Sequence, residues 1–207
     1  QDVLQRVLAK AVRTGADFAE VFAEDKHSTS VAFDDGKVEQ VTSGRDRGAG
    51  IRVIKGDTTG FAHTADLSEA GLLAAAEAAA AAAAQGDGAT RTIALTRGAT
   101  RTVSPIAQYP DDVRKADKVA LLARMDDAAR SASGSIVQVS AGYGDSRQHM
   151  LVANTDGVFV TDERVRTLIR VTAVADGDSG MQTGAQSAGL TKGFELFREV
   201  DVEALAR

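Results

Sequence analysis

Two Asp-Gly pairs, Asp35-Gly36 and Asp156-Gly157, each sit between short segments that contain apolar residues. Asp-Gly supplies the positive φ that a tight hairpin turn needs, so each pair folds its flanking strands back on one another. Such a chain is built largely from antiparallel hairpins. Alternation of apolar and polar residues is clearest in Arg164 to Ala175, where Val165, Thr167, Ile169, Val171 and Ala173 fall on one face. Phe18 to Glu24 alternates too, and Thr29 to Phe33, Val38 to Thr42, Gly48 to Lys55, Thr58 to Thr64, Ile136 to Tyr143, Met150 to Asn154 and Val158 to Thr161 are further short segments bounded by turn residues or polar chain. Each of these reads as a strand.

Helices interrupt the strands. Val3, Leu4, Val7, Leu8, Ala11 and Val12 recur at helical spacing and stop at Thr14-Gly15. Asp66-Leu67-Ser68-Glu69 reads as a capping box with Asp66 as N-cap. The alanine-rich helix behind it runs to about Ala84 and is stopped by Gly86-Asp87-Gly88. Alanine lets a helix lie close on a sheet, so packing explains the run. A short strand is expected within Arg91 to Thr102, and a Pro-containing loop at Ser104-Pro105 and Tyr109-Pro110, the chain's two prolines. Val119, Leu122, Met125 and Ala129 mark another helix, and Gly134 follows its end. Asp176 to Gly189 is glycine-rich and poor in large apolar residues, so it is expected to be a mobile or partner-ordered loop. Phe194 to Arg207 reads as the start of a helix. The fold class is α+β, with antiparallel meanders packed by helices. One domain over 1–207 is expected, with possible sub-units 1–88 and 103–207.

At 207 residues, 43% hydrophobic and 26% charged, the chain can bury a sizeable core. A net charge of −5 with interspersed signs argues against a nucleic-acid or anionic-membrane partner held by bulk charge. The longest apolar run is the alanine stretch broken by Glu77, too short and too weakly apolar to cross a membrane. There is no cysteine, which excludes disulfides, thiolate nucleophiles and Cys-based zinc sites in this chain and fits a cytoplasmic location.

Catalytic patterns are missing as well. His27, His63 and His149 are far apart and lack the His or carboxylate at helical spacing that zinc peptidases use. Asp34-Asp35, Asp111-Asp112 and Asp126-Asp127 are adjacent residues that point different ways. A turn, a loop and a solvated helix face account for them. No Gly-x-Ser-x-Gly elbow occurs. Gly48-Ala49-Gly50 lacks the third glycine and the following helix of a dinucleotide fingerprint. Its structural reading is a bulge or close backbone approach. Its functional reading is an edge strand that accepts an extended peptide, with Arg47, Gly48, Gly50 and Arg52 as candidate substrate- or partner-binding residues.

The order of several segments resembles the N-terminal domain of the TldD/PmbA family, nearer its TldD branch. The segments are Gly15-Ala16-Asp17-Phe18-Ala19-Glu20-Val21, Asp35-Gly36-Lys37-Val38-Glu39, Arg47-Gly48-Ala49-Gly50-Ile51-Arg52-Val53, Thr59-Gly60-Phe61-Ala62 and Asp66-Leu67-Ser68. Later ones are Leu151-Val152-Ala153-Asn154-Thr155-Asp156-Gly157, Arg164 and Gly193-Phe194-Glu195-Leu196-Phe197. The resemblance implies a metallopeptidase, historically called a modulator of DNA gyrase, that cleaves unfolded or short peptides in an enclosed chamber. It implies zinc held by a His-Glu-x-x-x-His helix and a downstream cysteine, both in a C-terminal half that this chain lacks. No cofactor and no catalytic residue is therefore expected here. It also implies a TldE/PmbA-like partner subunit or a homodimer, with the N-terminal domain helping to build the dimer and wall the chamber.

Overall fold

A computed structural model describes residues 1–84, 93–99 and 105–207. The expected stop at Gly86-Asp87-Gly88 lies outside these residues, as do Ser104 and both ends of the stretch from Arg91 to Thr102, whose described middle holds a two-residue strand at Thr96–Arg97. The elements run α1 (Asp2–Val12), β1 (Phe18–Asp34), β2 (Lys37–Lys55), β3 (Thr58–Thr64), α2 (Glu69–Ala83), β4 (Thr96–Arg97), α3 (Lys115–Ala132), β5 (Ile136–Asn154), β6 (Val158–Gly177), β7 (Gly180–Leu190) and α4 (Val202–Ala206). The strands follow the order β3-β2-β1-β5-β6-β4, with β7 also on β6. β3 runs antiparallel to β2 and β7 antiparallel to β6, while the two-residue β4 runs parallel to β6. The α+β class with an antiparallel sheet packed by helices is what the alternation and the Asp-Gly turns require. No helix among the described residues is long and apolar enough to cross a membrane.

The strands are longer than the sequence breaks suggest. The segments expected at Phe18–Glu24 and Thr29–Phe33 are one strand, β1, and those at Val38–Thr42 and Gly48–Lys55 are one strand, β2. Polar residues in their middles do not end them, because strand continuity depends on backbone pairing, not on side-chain apolarity. The Asp35-Gly36 turn has φ of 48° and 77°, the left-handed pair of a type I′ hairpin.

The chain forms two compact units. Unit 1 comprises Gln1–Lys26, Asp46–Arg101 and Gln148–Glu163. Its core joins Leu4, Val7, Leu8, Ala11 and Val12 of α1 to Ala19, Val21, Ile51 and Val53 of the strands. The alanines of α2 complete it, with Ala75, Ala76, Ala79 and Ala83 buried. Gly60 of β3 explains why alanine is needed there: a Cβ at this position would lie 2.0 Å from the Ala79 carbonyl oxygen. Helix and strand backbones are in direct contact, which only the smallest side chains permit. The N-cap of α2 is Ser68, not Asp66: Ser68 Oγ accepts from the Gly71 N–H at 3.2 Å. Asp66 Oδ1 instead accepts from the Ser68 N–H, and Glu69 reaches Arg6 of α1 at 2.6 Å rather than closing a capping box.

Unit 2 comprises His27–Arg45, Thr102–Arg147 and Arg164–Arg207. Leu121, Leu122, Met125 and Ala129 of α3 pack on Val31, Phe33, Val139, Ala141, Ile169 and Val171. Val165, Thr167, Ile169 and Val171 are buried while Arg166, Leu168 and Arg170 are exposed, as the alternation requires. The stretch from Asp176 to Gly189, expected as a loop, is a hairpin. A turn at Asp178-Ser179 leads into β7, paired with β6 from Thr167↔Leu190 to Gly177↔Gly180. Small residues hide a strand from a hydropathy reading, since the ladder is made by backbone groups alone. The expected C-terminal helix is a 3₁₀ turn at Phe194–Arg198 followed by the short α4, capped by Asp201.

Candidate partner-facing site

The residues singled out on β2 lie in unit 1. The register Gly50↔His63, Arg52↔Phe61 and Ile54↔Thr59 places β3 alongside Ala49 to Lys55. This stretch therefore lies between β1 and β3 and is not an edge. The expectation that it adds an extended peptide is corrected: its backbone groups are already engaged on both sides.

Alternation sorts the four residues. Ala49, Ile51 and Val53 are buried against the helices, so Gly48, Gly50 and Arg52 share the opposite face. Arg47 has the other parity and sits 3.9 Å from Asp25 of β1. A Cβ at Gly50 would meet the Phe61 ring at 3.1 Å, and one at Gly48 the Thr64 carbonyl oxygen at 3.0 Å. Both glycines thus make room for β3, which is the close-approach reading.

The open face carries more than these positions. Phe61 is 61% exposed and stacks on His63 with ring centroids 6.3 Å apart. Arg52 Nη2 lies 2.8 Å from Glu20 Oε1 of β1, and Phe22 is also exposed. Gln148 Nε2 donates to Glu24 Oε2 at 2.6 Å. Two phenyl rings, an imidazole and a guanidinium–carboxylate pair make a surface suited to apolar and amide groups. It has no nucleophile–base pair. Sequence reading missed Phe61, His63, Phe22 and Glu20. Strand parity could have found them, because Gly60 and Ala62 flank Phe61 and face inward.

Unit 2 holds a different set of polar groups, and they are buried. Lys118 Nζ donates to Asp145 Oδ2 at 2.6 Å, with both side chains almost fully buried. Tyr143 lies beside them, with Lys118 Nζ 5.3 Å from its ring centroid and its buried hydroxyl near Asp145. Burial, and then the Asp145 charge, push the Tyr143 hydroxyl far above the usual phenol range. Glu195 accepts from the Gln108 N–H at 2.9 Å and the Gly193 N–H at 3.0 Å. Burial raises its pKa, but these backbone donors outweigh it and hold the carboxyl below the usual range. These groups pin loops and strands and are closed to a ligand.

Among the described residues no three His, Cys, Asp or Glu side chains cluster so as to hold an ion. His149 faces Glu163 at 3.5 Å, a set of two. The described residues do not fit a metal centre.

Residues 19–83 match the PmbA/TldA metallopeptidase domain 1 and residues 108–207 the PmbA/TldA metallopeptidase central domain. A metalloprotease of Methanothermobacter thermautotrophicus is 30% identical over 195 residues, which are 92% of this chain and 41% of that protein. A TldD homologue of Haemophilus influenzae is 26% identical over 89% of this chain and 38% of its own length. The chain thus spans about two fifths of the length of these relatives. Among solved structures, a modulator of DNA gyrase from Bacteroides thetaiotaomicron superimposes with a TM-score of 0.77 at 12% identity, over 99% of this chain and 47% of the other. TldE from Thermococcus kodakarensis gives 0.76 at 16% identity, over 99% and 45%. At such identities these two establish the fold alone.

Proposed function

From the premise that this chain belongs to the PmbA/TldD metallopeptidase family, we propose that it is the N-terminal, non-catalytic part of a TldD-like, zinc-dependent peptidase. The whole enzyme would degrade or process unfolded or short peptides, in the cytoplasm. The chain would contribute to dimer assembly, with itself or with a TldE/PmbA-like subunit, and to the wall of the substrate chamber. The observation that carries this reading is the match of two consecutive non-overlapping family segments, 19–83 and 108–207, to a chain two fifths as long as its relatives.

Arg47, Gly48, Gly50 and Arg52 are proposed as part of the substrate- or partner-facing strand. Arg52 would act together with Phe61 and His63, and the glycines by letting β3 lie close. Zinc would be held outside these residues. Direct action on DNA is not proposed, since the net charge of −5 opposes it.

The test is metal analysis and peptide hydrolysis with the purified 207-residue chain after zinc loading. No stoichiometric zinc and no cleavage of an unfolded peptide are expected. One zinc per chain, or zinc-dependent cleavage, overturns the reading.

A second reading, a peptide- or partner-binding module acting by strand addition, keeps support only from β7, which is paired on one side. Retention of an unfolded peptide by the isolated chain, lost on blocking β7, would favour it.

A further inference from the structure

β6 turns one face to the core of unit 2 and the other to solvent. Val165, Thr167, Ile169 and Val171 are buried, and Arg166, Leu168 and Arg170 stand exposed on the opposite face. The neighbouring strands are low there. Leu168 lies across from Gly189 of β7, Arg170 from Ser187 and Thr172 from Ala185. On the β5 side, a Cβ at Gly142 would lie 2.9 Å from Arg170 Nε and 3.3 Å from its Cγ, so the arginine stem rests on bare backbone. Leu168 leans the other way, its Cδ1 2.8 Å from where a Gly189 Cβ would be. Three long side chains, at i, i+2 and i+4, therefore rise from a floor of small residues.

Charge sets this face apart. Arg6, Arg47, Arg52, Arg114, Arg124 and Arg130 each meet a carboxylate. Among the described residues Arg166 and Arg170 meet none. β7 has no acidic residue from Gly180 to Leu190. Asp34 of β1, beyond β5, already accepts from Gln138 and Ser140. A guanidinium without a partner presents a planar fork of N–H donors, and its complement is a carboxylate.

We propose that this face holds an extended peptide segment with two carboxylates four residues apart and an apolar residue midway between them. This names a class of peptide for the substrate role proposed above and rests on that role. At about 3.3 Å per residue, Arg166 and Arg170 stand about 13 Å apart along β6. Residues i and i+4 of an extended peptide span the same distance and share a face, so two acidic side chains reach both arginines at once. The residue midway, on the same face, covers Leu168, which is 47% exposed. A nucleic acid would also meet the arginines, but Leu168 between them and the net charge of −5 disfavour it.

Fluorescence anisotropy at low ionic strength tests this with the 207-residue chain. The probe is an unfolded peptide containing Glu-Ser-Leu-Ser-Glu. One control replaces both Glu by Gln, and another sets the two Glu three residues apart. The probe should bind roughly tenfold tighter than either control, the effect of two exposed charge pairs, and salt should erase the difference. Arg166→Gln with Arg170→Gln should reduce the probe to the level of the Gln control. Arg13→Gln, an exposed arginine at the end of α1, should leave it unchanged. Arg166→Glu with Arg170→Glu should instead favour a Lys-Ser-Leu-Ser-Lys peptide. Unchanged circular dichroism checks that each variant folds. Equal binding of probe and Gln control overturns the acidic preference and leaves peptide handling standing. Retention of no peptide overturns the face as a peptide site, while the zinc and hydrolysis test above still judges the wider reading. Tighter binding of a single-stranded oligonucleotide through the same arginines overturns a peptide as the occupant.

Discussion

Unit 1 and unit 2 bury opposite kinds of chemistry under similar antiparallel strands. In unit 1 the core is apolar, and closeness of backbones holds it: alanines of α2 lie on Gly60 with no space for a Cβ. In unit 2, Lys118, Asp126, Asp145, Thr167 and Glu195 are all buried, and Tyr143, Phe194 and Phe197 form an aromatic cluster. Thr155, whose hydroxyl accepts from the Ala19 N–H, is the buried polar side chain of unit 1 among the described residues. A core closed by steric fit is sensitive to volume. A core closed by paired charges is sensitive to the loss of either partner and to pH.

The largest effect should come from breaking the pair in unit 2. Lys118→Ala leaves Asp145 buried and unpaired, which destabilises by about 3–5 kcal/mol. Joint replacement, Lys118→Met with Asp145→Leu, should recover most of that loss. Denaturant unfolding of the two variants checks this; equal losses would show that burial volume, not charge, governs unit 2.

Gly60→Val applies the converse stress to unit 1. Overpacking against Ala79 should destabilise by about 1–3 kcal/mol or more, with hydrogen exchange accelerated first in α2. Exchange that accelerated first in α3 would undo the distinction between the units.

The next effect is a pH dependence that the buried Glu195 gives to unit 2. The folded-state pKa of Glu195 is depressed, so its contribution is complete above the ordinary carboxylate range and is lost as pH falls through the folded value. Thermal melts below that range should therefore show a loss of stability that Glu195→Gln does not share. Protection of the Gln108 and Gly193 amides should fall in parallel.

The smallest stability change belongs to the open face of unit 1. Arg52→Ala removes a half-exposed ion pair with Glu20 and should alter stability by no more than about 0.5 kcal/mol. Its effect should appear instead in peptide or partner retention, read by fluorescence anisotropy with an unfolded peptide. A large stability loss would mark Arg52 as structural.

Several features were legible in the residues alone. Alternation in Arg164 to Ala175 identified which side chains of β6 are buried, and Asp35-Gly36 identified a hairpin, because both signals are local consequences of strand geometry and φ. The alanine run of α2 foretold close packing, though not its partner at Gly60. The glycine-rich stretch after Asp176 was misread because a strand of small residues carries no side-chain signal. The edge assigned to Gly48–Lys55 was misread because strand order is set by which segments pair across long separations, and β3 takes that place.

The candidate site divides in the same way. Absence of cysteine and the scattered histidines could be read directly, as composition and spacing require no fold. That Phe61, His63 and Arg52 share one face of unit 1 follows from the β2–β3 register. That Lys118 and Asp145, 27 residues apart, meet in a buried pair depends on α3 packing over β5. The open side of β7 likewise depends on β6 being its neighbour. Periodicity and turn chemistry act between near neighbours, so they can be read along the chain. Register, edges and buried pairs join residues far apart in it, and three-dimensional packing alone brings those together.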